Sequence, residues 1–150
     1  MKIVIAADHG GIEYKNILLK DISEHGYDVT DLGAFSHSPD DYPDYAAAVA
    51  NAIGKGETER GIIICGSGVG VCIAANKFKL VRAGVCHDTY SAHQAVEHDD
   101  ANVLCLGQRV IGIELAKEIV LAFLAATFSA EERHQRRLDK VLAIENKNFK

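Results

Sequence analysis

Short runs of β-branched and apolar residues alternate along this chain with longer stretches that read as amphipathic helices, and this rhythm restricts the fold more than any other feature. Lys2 to Ala7, Asp28 to Asp31, Gly61 to Cys65, Arg82 to Cys86 and Asn102 to Leu106 each precede a helical pattern. A strand, a helix and a second strand in succession form a parallel pair joined by a crossover, so the order predicts a five-stranded parallel sheet with helices on both faces. The run Ile62-Ile63-Ile64-Cys65 is apolar at consecutive positions, without the alternation of a half-exposed strand, and belongs at the centre of that sheet. The expected architecture is a three-layer α/β/α sandwich.

The helices have readable ends. Between Gly11 and His25, the residues Tyr14, Leu18 and Ile22 fall on one stripe, and Gly26 stands where a left-handed C-terminal cap is needed. A second helix begins near Pro43, whose missing amide hydrogen is no loss in a first turn, and fades at Gly54 and Gly56. Helical patterns follow over Val69 to Lys77, Thr89 to Glu97 and Gly112 to Ala126. Ser129-Ala130-Glu131-Glu132 has capping-box spacing and predicts an extra C-terminal helix over 130–146. Its apolar cover is Leu138, Val141, Leu142 and Ile144, which can pack on its own domain or dock on a second subunit.

All 150 residues read as one domain, with no repeat or linker, and 48% of them are apolar, which excludes a disordered protein. The net charge of -5 and the shortness of the one basic cluster, Arg133 to Arg137, exclude nucleic acid as a partner. No apolar run approaches the roughly 20 residues that cross a bilayer, so a membrane is not expected either. The start, MKIVIAADHGG, meets an acid and a histidine too early for a signal peptide. Cys65, Cys72, Cys86 and Cys105 lack the close pairing of a zinc or redox motif, so no metal is expected and a reducing, cytoplasmic setting is.

Ligands of a parallel sheet bind at the carboxyl ends of its strands. Those ends are polar here: Asp8-His9-Gly10-Gly11, the loop from Cys65 to Gly70, His87-Asp88, and Gly107-Gln108-Arg109, which together can line one pocket. In the loop, Gly66, Gly68 and Gly70 let backbone amides approach a ligand, and the helix that follows favours negative charge. It reads as an anion cradle or, more plainly, as a tight turn. Val71 stands where a dinucleotide fingerprint requires glycine or alanine, and no Walker lysine follows; Asp88 still leaves a nucleotide reading open.

Cys65 ends a buried strand where amides and a helix start can stabilise a thiolate, which makes it the candidate base. Ser67 can donate and accept a proton beside it, or simply close the turn. His98 ends a helix, where an imidazole can serve an oxygen leaving group or merely the helix dipole. Arg133 and Arg137 share a helix face beside His134 and suit a phosphate, whereas Glu132 and Arg136 suit a solvated pair.

Taken together, Ala7-Asp8-His9-Gly10-Gly11, Asp41-Tyr42-Pro43, Ile64-Cys65-Gly66-Ser67-Gly68-Val69-Gly70, Ala74-Ala75-Asn76-Lys77, Asn102-Val103-Leu104, Gly107-Gln108-Arg109-Val110-Ile111-Gly112 and Arg133-His134-Gln135-Arg136-Arg137 resemble the ribose-5-phosphate isomerase B family over nearly the whole chain. The resemblance implies a flavodoxin-like or Rossmann-like sheet, a sugar-phosphate substrate and no cofactor. It also implies a homodimer or dimer of dimers whose active site is shared between subunits. Cys65 then corresponds to the base at C2, Ser67 to the hydroxyl moving protons between O1 and O2, and the amides of Gly66, Gly68, Val69 and Gly70 to the enediolate cradle. Asp8 and His98 correspond to ring-opening and positioning groups.

By the same resemblance, His9, Asp99, Arg109, Arg133, His134 and Arg137 correspond to substrate ligands, the last helix serving the neighbouring subunit. Ser67 stands where many relatives carry threonine, and Asp99 where many carry asparagine. An ionised carboxylate at 99 accepts hydrogen bonds but donates none, which bears on substrate choice. Allose 6-phosphate, galactose 6-phosphate, a subunit of a hetero-oligomeric isomerase and a non-catalytic phosphate- or nucleotide-binding module are the alternatives.

Overall fold

A computed structural model describes residues Met1 to Phe149. Its strands are β1 (Lys2–Ala7), β2 (Asp28–Asp31), β3 (Arg60–Cys65), β4 (Ala83–Val85) and β5 (Val103–Gly107). The helices are α1 (Ile12–Glu24), α2 (Tyr42–Gly54), α3 (Val69–Ala75), α4 (Thr89–Asp99), α5 (Ile113–Ala125) and α6 (Glu132–Asn148). All strand pairs are parallel, in the order β2-β1-β3-β5-β4, with Ile5 opposite Ile62 and Ile62 opposite Leu104. The three-layer α/β/α sandwich is therefore as expected. The order departs from the flavodoxin sequence 2-1-3-4-5, because β5 inserts between β3 and β4.

Successive side chains of a strand point to opposite faces, and here both faces are covered. Ile3, Ile5, Ile62, Ile64, Leu104 and Leu106 pack under α1, α4 and α5, while Val4, Ala6, Ile63, Cys65, Val103 and Cys105 pack under α2 and α3. This is why Ile62 to Cys65 is apolar at every position.

Gly26, at φ +87°, ends α1 as its position predicts. The capping box at α6 does not form. Ser129 Oγ accepts from the Glu131 amide at 3.2 Å and is held by His134 Nδ1, Ala130 takes a left-handed φ of 55°, and α6 starts at Glu132. Of its proposed apolar cover only Leu138 is buried, against α4; Val141 and Ile144 are exposed. No helix among the described residues is long and apolar enough to cross a membrane.

Crossovers leave β1 toward β2 on one side and β3 toward β5 and β4 on the other, so the carboxyl ends of β1 and β3 bound the topological switch point. Asp8 and the loop after Cys65 stand there.

Candidate active site

A cleft opens at this switch point. Asp8 follows β1, Cys65 ends β3, Gly66 and Ser67 belong to the loop that enters α3, and Gly70 to the first turn of α3; all five line the cleft. Arg109 and Val110, after β5, form its far side. Cys65 is only 5% exposed yet belongs to the lining, and the Gly68 amide donates to its Sγ at 3.1 Å. A thiolate at this position is thus met by a fixed N–H dipole.

Two glycines allow this geometry. Gly68 sits at φ +80°, and a Cβ there falls 2.9 Å from the Leu106 carbonyl carbon. A Cβ at Gly107 falls 2.7 Å from the Ser67 carbonyl. Bare backbone at both positions lets the loops after β3 and β5 press together, joined by Gln108 N–H to the Cys65 carbonyl at 2.9 Å and Arg109 N–H to the Gly66 carbonyl at 3.0 Å. Arg109 is thereby laid beside Gly66. Ser67 is exposed, its Oγ accepting from Val69 N–H at 3.2 Å. The amides of Gly70 and Val71 have no acceptor among the described residues.

Asp8 is buried, and its Oδ1 accepts from Gly10 N–H at 2.9 Å. Burial pushes its carboxyl above the usual carboxylate range, with the Gly10 amide pulling the other way. His9, next to it, is exposed and tied to Asp40: Nδ1 lies 2.7 Å and the backbone N 2.9 Å from Asp40 Oδ1. Tyr45 Oη donates to Asp40 Oδ2 at 2.8 Å. The Asp40 hydrogen bond raises the His9 pKa. Burial alone would lift the Asp40 carboxyl, but the three donors outweigh it and hold it low, and Tyr45 is pushed up to about 12 by the hydrogen bond its hydroxyl donates to Asp40. Among the described residues Asp8, His9 and Asp40 are the one group of potential metal-ligating side chains whose polar atoms all lie within 4.8 Å of one another. Of these, His9 Nδ1 and Asp40 Oδ1 bond each other, and the Asp8 and Asp40 carboxylates each accept from a backbone amide, Gly10 and His9 respectively.

The remaining expected residues lie elsewhere on the chain. His98 and Asp99 end α4, beside the amino ends of β4 and β5, whereas the cleft is at the carboxyl ends; five residues of β5 alone span about 16 Å. The His98 ring stacks on buried His134 with centroids 4.1 Å apart, and Gln94 meets its Nδ1 at 3.1 Å. Asp99 and Arg137 line one groove with Arg82 and Leu138. Arg133 is exposed and paired with Glu131 at 3.2 Å, and Arg136 pairs with Glu132 as the spacing predicts.

The end of β4 does not join the cleft, because β5 separates β4 from β3. His87 Nε2 accepts from Gly107 N–H at 3.0 Å, and Asp88 caps α4 by accepting from Ser91 N–H at 2.6 Å. The carboxylate that kept a nucleotide reading open is therefore spent on a helix cap. Three residues enter that sequence reasoning did not assign. Tyr42 lines the cleft with its ring over Gly70, where a Cβ would lie 2.8 Å from its Cζ. The signal was the exposed aromatic in Asp41-Tyr42-Pro43. Asp40 is joined to His9 across 31 residues of sequence, a contact that carries no local pattern, and Tyr45 reaches His9 only through Asp40.

The chain matches the Ribose/Galactose Isomerase family over residues 3–141. It is similar to the ribose-5-phosphate isomerase B of Escherichia coli, with 47% identity over 146 residues and 97% of each chain covered. A D-erythrulose-4-phosphate isomerase of Pectobacterium atrosepticum is 46% identical over 132 residues, 85% of each chain. Among solved structures, the Clostridium thermocellum ribose-5-phosphate isomerase B superimposes with a TM-score of 0.95 at 46% identity, covering 98% of this chain and 99% of that one. The Mycoplasma genitalium enzyme, solved with bound ribulose-5-phosphate, gives 0.92 at 42% identity, covering 98% and 97%. With the family's match running through the strands that build the cleft, the chain belongs to the ribose/galactose isomerase family.

Proposed function

We propose that this protein is an aldose–ketose isomerase that interconverts ribose 5-phosphate and ribulose 5-phosphate through an enediolate. The observation that carries the reading is Cys65 on the lining of a switch-point cleft, its sulfur met by the Gly68 amide and flanked by a glycine loop. In this mechanism the Cys65 thiolate takes the proton from C2 of the open-chain aldose, the negative charge moves onto O1, and the same proton is returned at C1. Ser67 carries the accompanying proton from O2 to O1.

A carbon acid beside a carbonyl is too weak for a thiolate to ionise quickly unaided, so the charge on the enediolate must be stabilised as it forms. Loop amides do this without reorganising, and loss of one such donor typically costs about 3 kcal/mol. Asp8, kept protonated to higher pH by its burial, suits proton transfer during opening of the sugar ring. Arg109 offers a guanidinium to the substrate's anionic end.

His98, Asp99, Arg133, His134 and Arg137 cannot reach the cleft of their own subunit, and Val141 and Ile144 leave α6 with an uncovered apolar edge. Both facts support a homodimer, alone or paired, in which α6 of one protomer completes the cleft of the other. A phosphorylated substrate and four free thiols suit the cytoplasm.

The test is turnover of ribose 5-phosphate by purified protein, beside erythrulose 4-phosphate, allose 6-phosphate and galactose 6-phosphate. Cys65→Ala is expected to abolish turnover while leaving the circular-dichroism spectrum and substrate binding intact. Substantial residual activity in that variant would remove Cys65 as the base, and no turnover on any of the four sugars would remove the isomerase reading.

A further inference from the structure

We propose that Asp40, anchored by Tyr45, is a positioning residue for His9: its carboxylate takes the proton-bearing Nδ1 of the imidazole and leaves Nε2 as the nitrogen His9 offers to a sugar oxygen. The geometry is specific. Asp40 Oδ1 lies 2.7 Å from His9 Nδ1, and an ionised carboxylate can only accept, so Nδ1 must carry the hydrogen. The competing arrangement, in which Nδ1 accepts from the Asp40 amide, is longer at 3.3 Å. The same Oδ1 takes the His9 backbone N–H at 2.9 Å, and Oδ2 takes the Tyr45 hydroxyl at 2.8 Å. Three donors therefore fix the carboxylate, although residues 35–39 just before it are all exposed and outside any helix or strand.

Which imidazole nitrogen faces a ligand is set by the hydrogen bond the other one makes. Asp40 thus does for His9 what the buried acid of a hydrolase triad does for its histidine: it selects the tautomer and holds the ring. The charged groups around His9 are Asp40 from the segment before α2, Asp8 at the end of β1 and Arg109 after β5; the two acids favour the imidazolium and the arginine opposes it.

That the ligand is a sugar rests on the isomerase reading; the dyad itself does not. Two measurements separate them. In protein labelled with ¹⁵N-histidine, with the His9 signal assigned from its loss in His9→Gln, the neutral ring should be the Nδ1–H tautomer and the pKa should lie above the ordinary 6.5. Asp40→Asn should lower that pKa and admit the Nε2–H form, and Tyr45→Phe, which keeps the ring and removes only the anchor, should move it part of the way. In steady-state kinetics, Asp40→Ala should lower kcat/KM about tenfold or more in the parent protein but less than about twofold in a His9→Ala background, the signature of residues that act as one.

An unchanged His9 tautomer and pKa in Asp40→Asn would overturn the proposal, as would an equal loss from Asp40→Ala in both backgrounds. If the parent protein turned over no sugar phosphate, the isomerase reading would fall, and the nitrogen spectra would still decide the dyad.

Discussion

Cys72 is half-buried beside Cys105, whose thiol stabilises the Cys72 thiolate enough to outweigh burial and bring its pKa down to about 7. Cys86 goes the other way, pushed up to about 11 by burial. Thiolate is the reactive form, so Cys72 should be alkylated by iodoacetamide with a midpoint near neutral pH while Cys86 stays inert until strongly alkaline conditions. Cys105→Ala should move the Cys72 midpoint back up toward 9, which mass-spectrometric alkylation profiles against pH would read directly. Sequence separated none of these roles, because four scattered cysteines look alike until β5 places Cys105 in the core. Cys65 was legible for a different reason: it ends an apolar run and opens a glycine loop, two local signals that coincide at one residue. The hold of Asp40 on His9 is a tertiary contact and left no such trace.

Turn conformation ties the loop after β3 to its chemistry. At φ +80°, with a Cβ contact of 2.9 Å waiting at Leu106, Gly68→Ala should cost about 1–3 kcal/mol in urea unfolding and should also withdraw the amide that meets Cys65. Activity should therefore fall further than the stability loss explains; a variant with reduced stability but full kcat would show that the loop tolerates the shift. Strands and helices were largely readable because their signals are local. β2 and the start of α3 fall where the pattern put them, whereas β5 starts one residue later, although the Asn102 carbonyl still accepts from Gly61 N–H at 2.9 Å and its side chain meets Arg82 N–H and the Leu80 carbonyl, each at 2.8 Å. The missing cap at α6 has a local cause that the four-residue spacing did not show: Ser129 Oγ is taken by His134, in the first turn of α6 itself.

Across the whole molecule, the expected residues fall at two places, the cleft at the carboxyl ends of the strands and the groove between α4 and α6. If the subunits complete each other, co-refolding equal amounts of Cys65→Ala and His98→Ala chains should restore activity, because each mixed dimer carries one site with both residues intact. Random pairing of two inactive variants then yields about a quarter of the parent activity. A mixture as inactive as its components would show that His98 serves its own chain or none. The division was invisible in sequence, since it depends on which end of the sheet each helix reaches. Strand order was equally hidden, and it has a consequence for synthesis. β5 is the last strand to leave the ribosome but fills the place between β3 and β4. Until it emerges, β3 presents an open edge and β4 has no neighbour, so the nascent chain must be kept from pairing with others over its final third.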